Sequence, residues 1–246
     1  MYWIYADMYQ VEYRKMSYDT DSLAPDMNTL YSQLDEKTRF VFIANPNLPI
    51  ESCFTVDEIR NIAEKCRKNN TVLVVDEAYH YFGAPSVLEL IEEYENIIVF
   101  RTFSKAYGLA GLRIGFMVSQ TKNIDNISKS RSLVESNTLS MQIAGYFLEH
   151  SEHRDRHVQE VKEGSAYLQE QLNKLELRWY GGNYTNGILI FLKDKEASSN
   201  FVAYLRERGI YIRGSFDAPF EATIRVSIGS KDYMEKFITS FKKWLI

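Results

Sequence analysis

Two hydroxyls (Thr102, Ser104), one lysine (Lys105), two glycines (Gly108, Gly111) and one arginine (Arg113) fall between Arg101 and Gly115. Hydroxyl donors and a guanidinium suit the oxygens of a phosphate group. A lysine amine held beside them can form a Schiff base with a phosphorylated aldehyde. The aldehyde cofactor that fits is pyridoxal phosphate. Asp76 opens a second reactive stretch, Asp76-Glu-Ala-Tyr79, at the end of a Val-rich run. A carboxylate at the carboxyl end of a buried strand sits where α/β sheets bind ligands. There it can keep a pyridine nitrogen protonated and make the ring a stronger electron sink. Tyr79, three residues on, can donate its hydroxyl to the cofactor's phenolic oxygen. A helix cap or a salt-bridged strand end is the competing reading for Asp76, and the residues alone leave both open.

These groups need elements to hold them. Thr38–Ala44 reads as a strand that ends in the turn Asn45-Pro-Asn-Leu-Pro49. Thr55 to Asn69 reads as a helix, with Thr55 as N-cap, Glu58 three residues on, and Ile59, Ile62, Ala63 and Cys66 on one face. Thr71–Val75 is a continuous apolar run, as expected of a strand covered on both faces. A helix over Ser86–Tyr94 and strands over Asn96–Phe100 and Arg113–Ser119 follow. This alternation predicts an α/β fold, three layers (α/β/α) around a mostly parallel sheet. Beyond about residue 120 the order changes. Thr138–Leu175 reads as one long helical stretch, followed by the turn Gly181-Gly182 and a strand at Gly187–Leu192. A helix near Ala197–Glu207, short strands at Ile210–Arg213 and Thr223–Ile228, and a closing helix from Ser230 complete it. That order predicts a smaller C-terminal α+β domain, with residues 1–140 and 141–246 as the two units.

Composition narrows the functional classes. The 246 residues are 45% hydrophobic and 25% charged, enough apolar content for a sizeable core. A net charge of −4 gives no case for a nucleic-acid partner. No apolar stretch is long enough for a membrane span, and the N-terminus carries neither a basic leader nor a cleavage-like site. Cys53 and Cys66 have no metal or redox spacing, so a reducing, cytoplasmic setting is expected. His150, His153 and His157 recur at helical spacing, but among Glu, Asp and Arg they read as a solvated face, and no metal is expected.

The segments Arg101–Gly115, Asp76-Glu-Ala-Tyr79, Asn45-Pro-Asn-Leu-Pro49 and Ile224-Arg-Val-Ser-Ile-Gly229 occur together and in order. On these segments the chain resembles the fold-type I pyridoxal phosphate aminotransferases, most closely the histidinol-phosphate aminotransferase group. The resemblance implies that Lys105 carries the Schiff base and shuttles the proton between the α-carbon and the cofactor. It implies Ser104 and Arg113, with Thr102, as phosphate ligands, Asp76 as pyridinium partner and Tyr79 as phenolic-oxygen donor. Tyr2, in Met1-Tyr-Trp-Ile-Tyr5, matches the aromatic that stacks on the cofactor ring. Arg225 and Arg213 match arginines that grip a substrate carboxylate or phosphate, with surface ion pairing as their alternative. Asn186 lies where the family has an asparagine at a strand start. A homodimer with a shared active site, a small-molecule amino donor, a keto acceptor and a role in amino acid biosynthesis are implied as well. Related members include amino-acid phosphate decarboxylases, so decarboxylation is one alternative and an inactive remnant another.

Two departures stand out. The family's turn usually reads Asn-Pro-Asn-Asn-Pro-Thr-Gly, whereas this chain has Asn45-Pro-Asn-Leu-Pro-Ile-Glu51. Leu48 replaces the asparagine that normally contacts the phenolic oxygen, and a charge-assisted bond of about 1.5–3 kcal/mol goes with it. Asn47 can compensate only in a shifted turn. Members also usually carry on the order of 100 more residues before this point. The chain is therefore expected to be N-terminally truncated, with Lys105 to Arg113 supplying only part of a phosphate cup.

Overall fold

The computed structural model describes residues 2–19 and 22–245. Met1, at the head of the stretch that carries Tyr2, lies outside the described residues. Two helices come first, α1 (Tyr2–Met8) and α2 (Met27–Gln33). The first sheet then builds through β1 (Phe40–Ala44), α3 (Val56–Lys68), β2 (Val72–Asp76), α4 (Leu90–Glu93), β3 (Ile97–Thr102) and β4 (Gly115–Val118). Helices α5 (Thr121–Ser128), α6 (Thr138–Glu149) and α7 (Glu152–Lys174) lead to the second sheet. It comprises β5 (Trp179–Gly181), β6 (Gly187–Phe191) and β7 (Thr223–Ser227), with α8 (Lys195–Arg206) between the last two and α9 (Lys231–Trp244) closing the chain.

The first sheet has the order β1-β2-β3-β4. β1, β2 and β3 run parallel, and β4 is antiparallel to β3. This is the mostly parallel α/β sheet that the sequence predicts. Helix α3 starts where expected, because Thr55 and Glu58 form a reciprocal capping box. Its buried face, Ile59, Ile62, Ala63 and Cys66, packs on Val41, Ile43, Leu73, Val75, Ile97 and Val99. Those sheet residues alternate along their strands, so they share one face of the sheet. The opposite face carries Phe42, on which Tyr2 of α1 stacks with ring centroids 5.1 Å apart. The second sheet, order β5-β6-β7, is antiparallel throughout. It buries Ile188, Ile190, Ile224 and Val226 against Leu168, Leu172, Phe201, Phe237 and Phe241.

Four elements differ from their sequence reading. Arg113–Ser119 forms a strand only from Gly115, because Arg113 has a left-handed backbone with φ 52°. The loop that joins it to β3, residues 103–114, carries no crossover α-helix, and the strand returns antiparallel. The helix expected over Ser86–Tyr94 shrinks to Leu90–Glu93, since the Glu77 carboxylate takes the Ser86 hydroxyl and the Val87 N–H. Thr138–Leu175 breaks into α6 and α7 at His150, whose backbone leaves helical geometry (φ −114°, ψ 62°). Ile210–Arg213 makes no strand, only a single bridge between Arg213 and Arg225. No described helix is long and apolar enough to cross a membrane.

Candidate active site

The carboxyl ends of the parallel strands lie level, with Ala44 opposite Asp76 and Asp76 opposite Phe100. Asp76 therefore emerges at the sheet edge. Its Oδ1 accepts the Ala78 N–H at 3.0 Å, and its Oδ2 accepts the Tyr2 hydroxyl at 2.6 Å. Burial and the neighbouring Asp76 charge hold the Tyr2 phenol above its ordinary pKa. Tyr2 thus lies at the edge where the pyridinium partner is expected, engaged through its hydroxyl while its ring rests on Phe42. The neighbouring Glu77 points into the interior. Arg101 donates to its Oε2 from Nε at 3.0 Å and from a terminal nitrogen at 2.8 Å, and Ser86 adds a hydroxyl at 3.0 Å. The salt-bridged strand end weighed for Asp76 is realised at Glu77.

Lys105 sits on a short turn after β3. Phe103, Ala106 and Tyr107 beside it are buried, with Ala106 reaching the core of the second sheet. The Gly108 N–H closes the turn on the Lys105 carbonyl at 2.9 Å, and Gly108 takes φ 69°, a conformation that glycine adopts without strain. Anchored on both sides, Lys105 projects over Tyr79, with Nζ 5.2 Å from the ring centroid. Among the described residues the amine has no hydrogen-bond or carboxylate partner.

The three expected phosphate ligands share this loop. The Thr102 hydroxyl accepts the Ser104 N–H at 3.1 Å and donates to the Ile114 carbonyl at 3.3 Å. Arg113 is exposed and donates to the Ala110 carbonyl at 3.0 Å. The loop must pass close to β3, because a Cβ on Gly115 would lie 2.7 Å from the Arg101 carbonyl oxygen.

Lys105 and Tyr79 face Asn186, Gly187, Arg225 and Ser227 across a cleft, with Leu48 completing its wall. The fold thus brings Lys105, Tyr79 and Arg225 together. Asp76, Thr102, Ser104 and Arg113 are not among the residues that line the cleft: Asp76 and Thr102 end β2 and β3, and Ser104 and Arg113 lie on the loop that follows. Arg213 is tied to Arg225 by a pair of backbone bonds (3.2 and 2.6 Å), which puts both side chains on one side of the ribbon. Its guanidinium lies 5.3 Å from the Phe216 ring centroid, outside the cleft wall. Among the described residues neither arginine forms an ion pair, so the surface-pairing alternative is not realised. Leu48 brings an apolar side chain to the cleft, and Asn47 is engaged through its backbone N–H to Ser52 at 2.9 Å. Gly187 and Ser227 line the cleft without having been singled out in the sequence. Ser227 lies two residues after Arg225 on β7, and that spacing is the signal that could have found it.

An unpaired amine, a phenol, hydroxyl and guanidinium donors and a carboxylate form a donor set that fits an aldehyde-bearing, phosphorylated pyridine. Other candidate chemistry falls away. Burial pushes the Cys53 and Cys66 thiols up to about 11 and about 12, as for packing residues. His150 and His153 pack around Tyr146, and no described group of three His, Cys, Asp or Glu could hold a metal.

The sequence profile of "Aminotransferase class I and II" matches residues 1–241. A histidinol-phosphate aminotransferase of Bacteroides thetaiotaomicron is 31% identical over 99% of this chain and 69% of its own length. A dihydroxyacetone phosphate transaminase of Campylobacter jejuni is 32% identical over 87% of this chain and 58% of its own. The chain thus spans 58–69% of the length of these curated relatives. The solved histidinol-phosphate aminotransferase of Sinorhizobium meliloti, in complex with pyridoxal-5'-phosphate, superposes with a TM-score of 0.86 at 24% identity, covering 96% of this chain and 65% of that one. The profile spans both sheets and every residue of the cleft, and on that extent the chain belongs to the aminotransferase class I and II family.

Proposed function

We propose that this chain is a pyridoxal phosphate-dependent aminotransferase. It moves an amino group between an amino acid or amino-phosphate donor and a keto acceptor, in the manner of histidinol-phosphate aminotransferases. The observation that carries this reading is the unpartnered Lys105 amine over Tyr79, facing Arg225 across one cleft. When bound, the cofactor supplies an electron sink for the charge left on the substrate's α-carbon. Lys105 would hold the cofactor's aldehyde through its amine, and as a free amine its Nζ would accept and return the α-proton. Asp76 keeps the pyridine nitrogen protonated, and Tyr79 donates to the phenolic oxygen. Thr102, Ser104 and Arg113 would bind the phosphate, and Tyr2 would stack on the cofactor ring. Arg225, with Arg213 on the same side of the ribbon, grips the anionic end of the substrate. In this reading residues 1–140 form the cofactor-binding unit, residues 141–246 the smaller one, and the protein works as a cytoplasmic homodimer.

The test is direct. Purified protein is mixed with pyridoxal phosphate, its visible absorbance recorded, and the adduct reduced with borohydride and mapped by peptide mass. The label is expected on Lys105, and amino donors are expected to yield keto acids rather than carbon dioxide. An unmodified Lys105 peptide after reduction overturns the reading.

A further inference from the structure

One buried carboxylate takes no part in the chemistry above. Glu51 closes the turn after β1, is buried, and has a left-handed backbone with φ 58°. Such a conformation is uncommon for a long side chain. The carboxylate reaches across to the turn between β5 and β6. Oε1 accepts the Asn183 N–H at 2.8 Å and also the Tyr184 N–H, while Oε2 accepts the Thr185 hydroxyl at 3.3 Å. Among the described residues no lysine or arginine pairs with it. A buried charge in a disfavoured backbone conformation, neutralised only by donors from another sheet's turn, is costly for a residue that merely fills space.

Its position gives that cost a purpose. Three residues before Glu51 stands Leu48, one wall of the cleft, and directly after Thr185 come Asn186 and Gly187, the facing wall. The walls are close: a Cβ on Gly187 would lie 3.7 Å from Leu48 Cδ2 and 3.9 Å from Arg225 Cδ. We propose that Glu51 is a positioning residue. Its carboxylate latches the β5–β6 turn to the loop after β1, fixes the Asn186–Gly187 wall opposite Lys105, and so sets how tightly Arg225 holds an anionic substrate. The substrate half of this inference rests on the function proposed above; the latch itself does not.

Two variants separate the latch from the fold. Glu51→Gly removes the carboxylate and gives the left-handed position a residue that adopts it without strain. Glu51→Gln keeps the size but turns one acceptor into a donor that faces other donors. Hydrogen exchange read by mass spectrometry is expected to quicken about tenfold over residues 182–187 in both variants, with α9 unchanged. In turnover with glutamate as amino donor, KM is expected to rise about tenfold while kcat stays within about twofold. The visible absorbance of the cofactor on Lys105 should be unaltered. Unchanged exchange at 182–187, quickening spread equally through α9, or a fall in kcat with KM constant would each overturn the proposal. A wild-type protein that turns over no amino acid or amino-phosphate donor would sink the proposed function, and the exchange result would then decide Glu51 by itself.

Discussion

Strand β6 of the second sheet and strand β1 at the side of the first treat their apolar residues in opposite ways. In β6 the consecutive Ile188, Leu189 and Ile190 are all fully buried, two against the helices of the second sheet and one against Leu23 and Ile50. In β1 Phe40 and Phe42 are 55% and 44% exposed, while Val41 and Ile43, which alternate with them, are buried. The same contrast holds between neighbours at the end of β2, where Asp76 lies at the sheet edge and Glu77 is sealed under Arg101. Burial on both faces concentrates packing energy in β6 and, in the first sheet, in β2 and β3, whose Leu73–Val75 and Ile97–Val99 are buried. Strand β1 keeps one face open, and the candidate reactive groups stand at and beyond the carboxyl ends of β2 and β3. The candidate groups at the strand ends and the packing in the strand interiors therefore involve different residues, and each can be disturbed with limited effect on the other.

The largest expected effect tests the reactive edge. Lys105→Ala should abolish cofactor attachment and lower turnover by about ten-thousand-fold, with the urea midpoint nearly unchanged. A large stability loss would break the separation. Next comes the packing contrast itself. Phe201→Ala, at a fully buried ring among Phe237, Phe241 and Trp244, should cost about 3–5 kcal/mol. Phe42→Ala in the first sheet should cost under about 1 kcal/mol by the same urea titration. Equal losses would mean that the open face of β1 bears as much load as the closed core. A smaller effect is expected where the second sheet reaches into the cleft. Arg225→Gln should raise KM by roughly 10- to 100-fold, the equivalent of about 1.5–3 kcal/mol. Arg213→Gln, outside the cleft wall, should change it less. The smallest effect concerns His80, whose pKa lies below its ordinary value because it is buried and because Arg101 is near. The unfolded chain binds that proton more tightly, so stability should fall as the pH drops below about 6.5. His80→Gln should flatten that decline, and equal slopes would show that the ring does not report burial next to Glu77 and Arg101.

Much of this was legible in the order of residues, for identifiable reasons. Helix α3 was readable because Thr55 and Glu58 cap it locally and its apolar face follows a period of 3.6. Strands β2 and β3 were readable because continuous apolar runs leave little else to form. The candidate groups could be named from sequence because hydroxyls, lysine and arginine lie within one short stretch, and residue type fixes what each can donate or attack. Other features depended on long-range contacts that no local pattern contains. The Glu77–Arg101–Ser86 network spans 24 residues and removed most of a helix whose local signal was sound. The hydroxyl of Tyr2 meets Asp76 across 74 residues, an encounter absent from either segment alone. Glu51 read as a departure from a turn pattern, and only the arrival of residues 183–185, more than 130 positions away, gave its carboxylate partners. Sequence determined which chemistry was possible, since that resides in side-chain type and short spacing. Tertiary structure decided which groups meet, because a charge or hydroxyl acquires its role from the donors that packing brings to it.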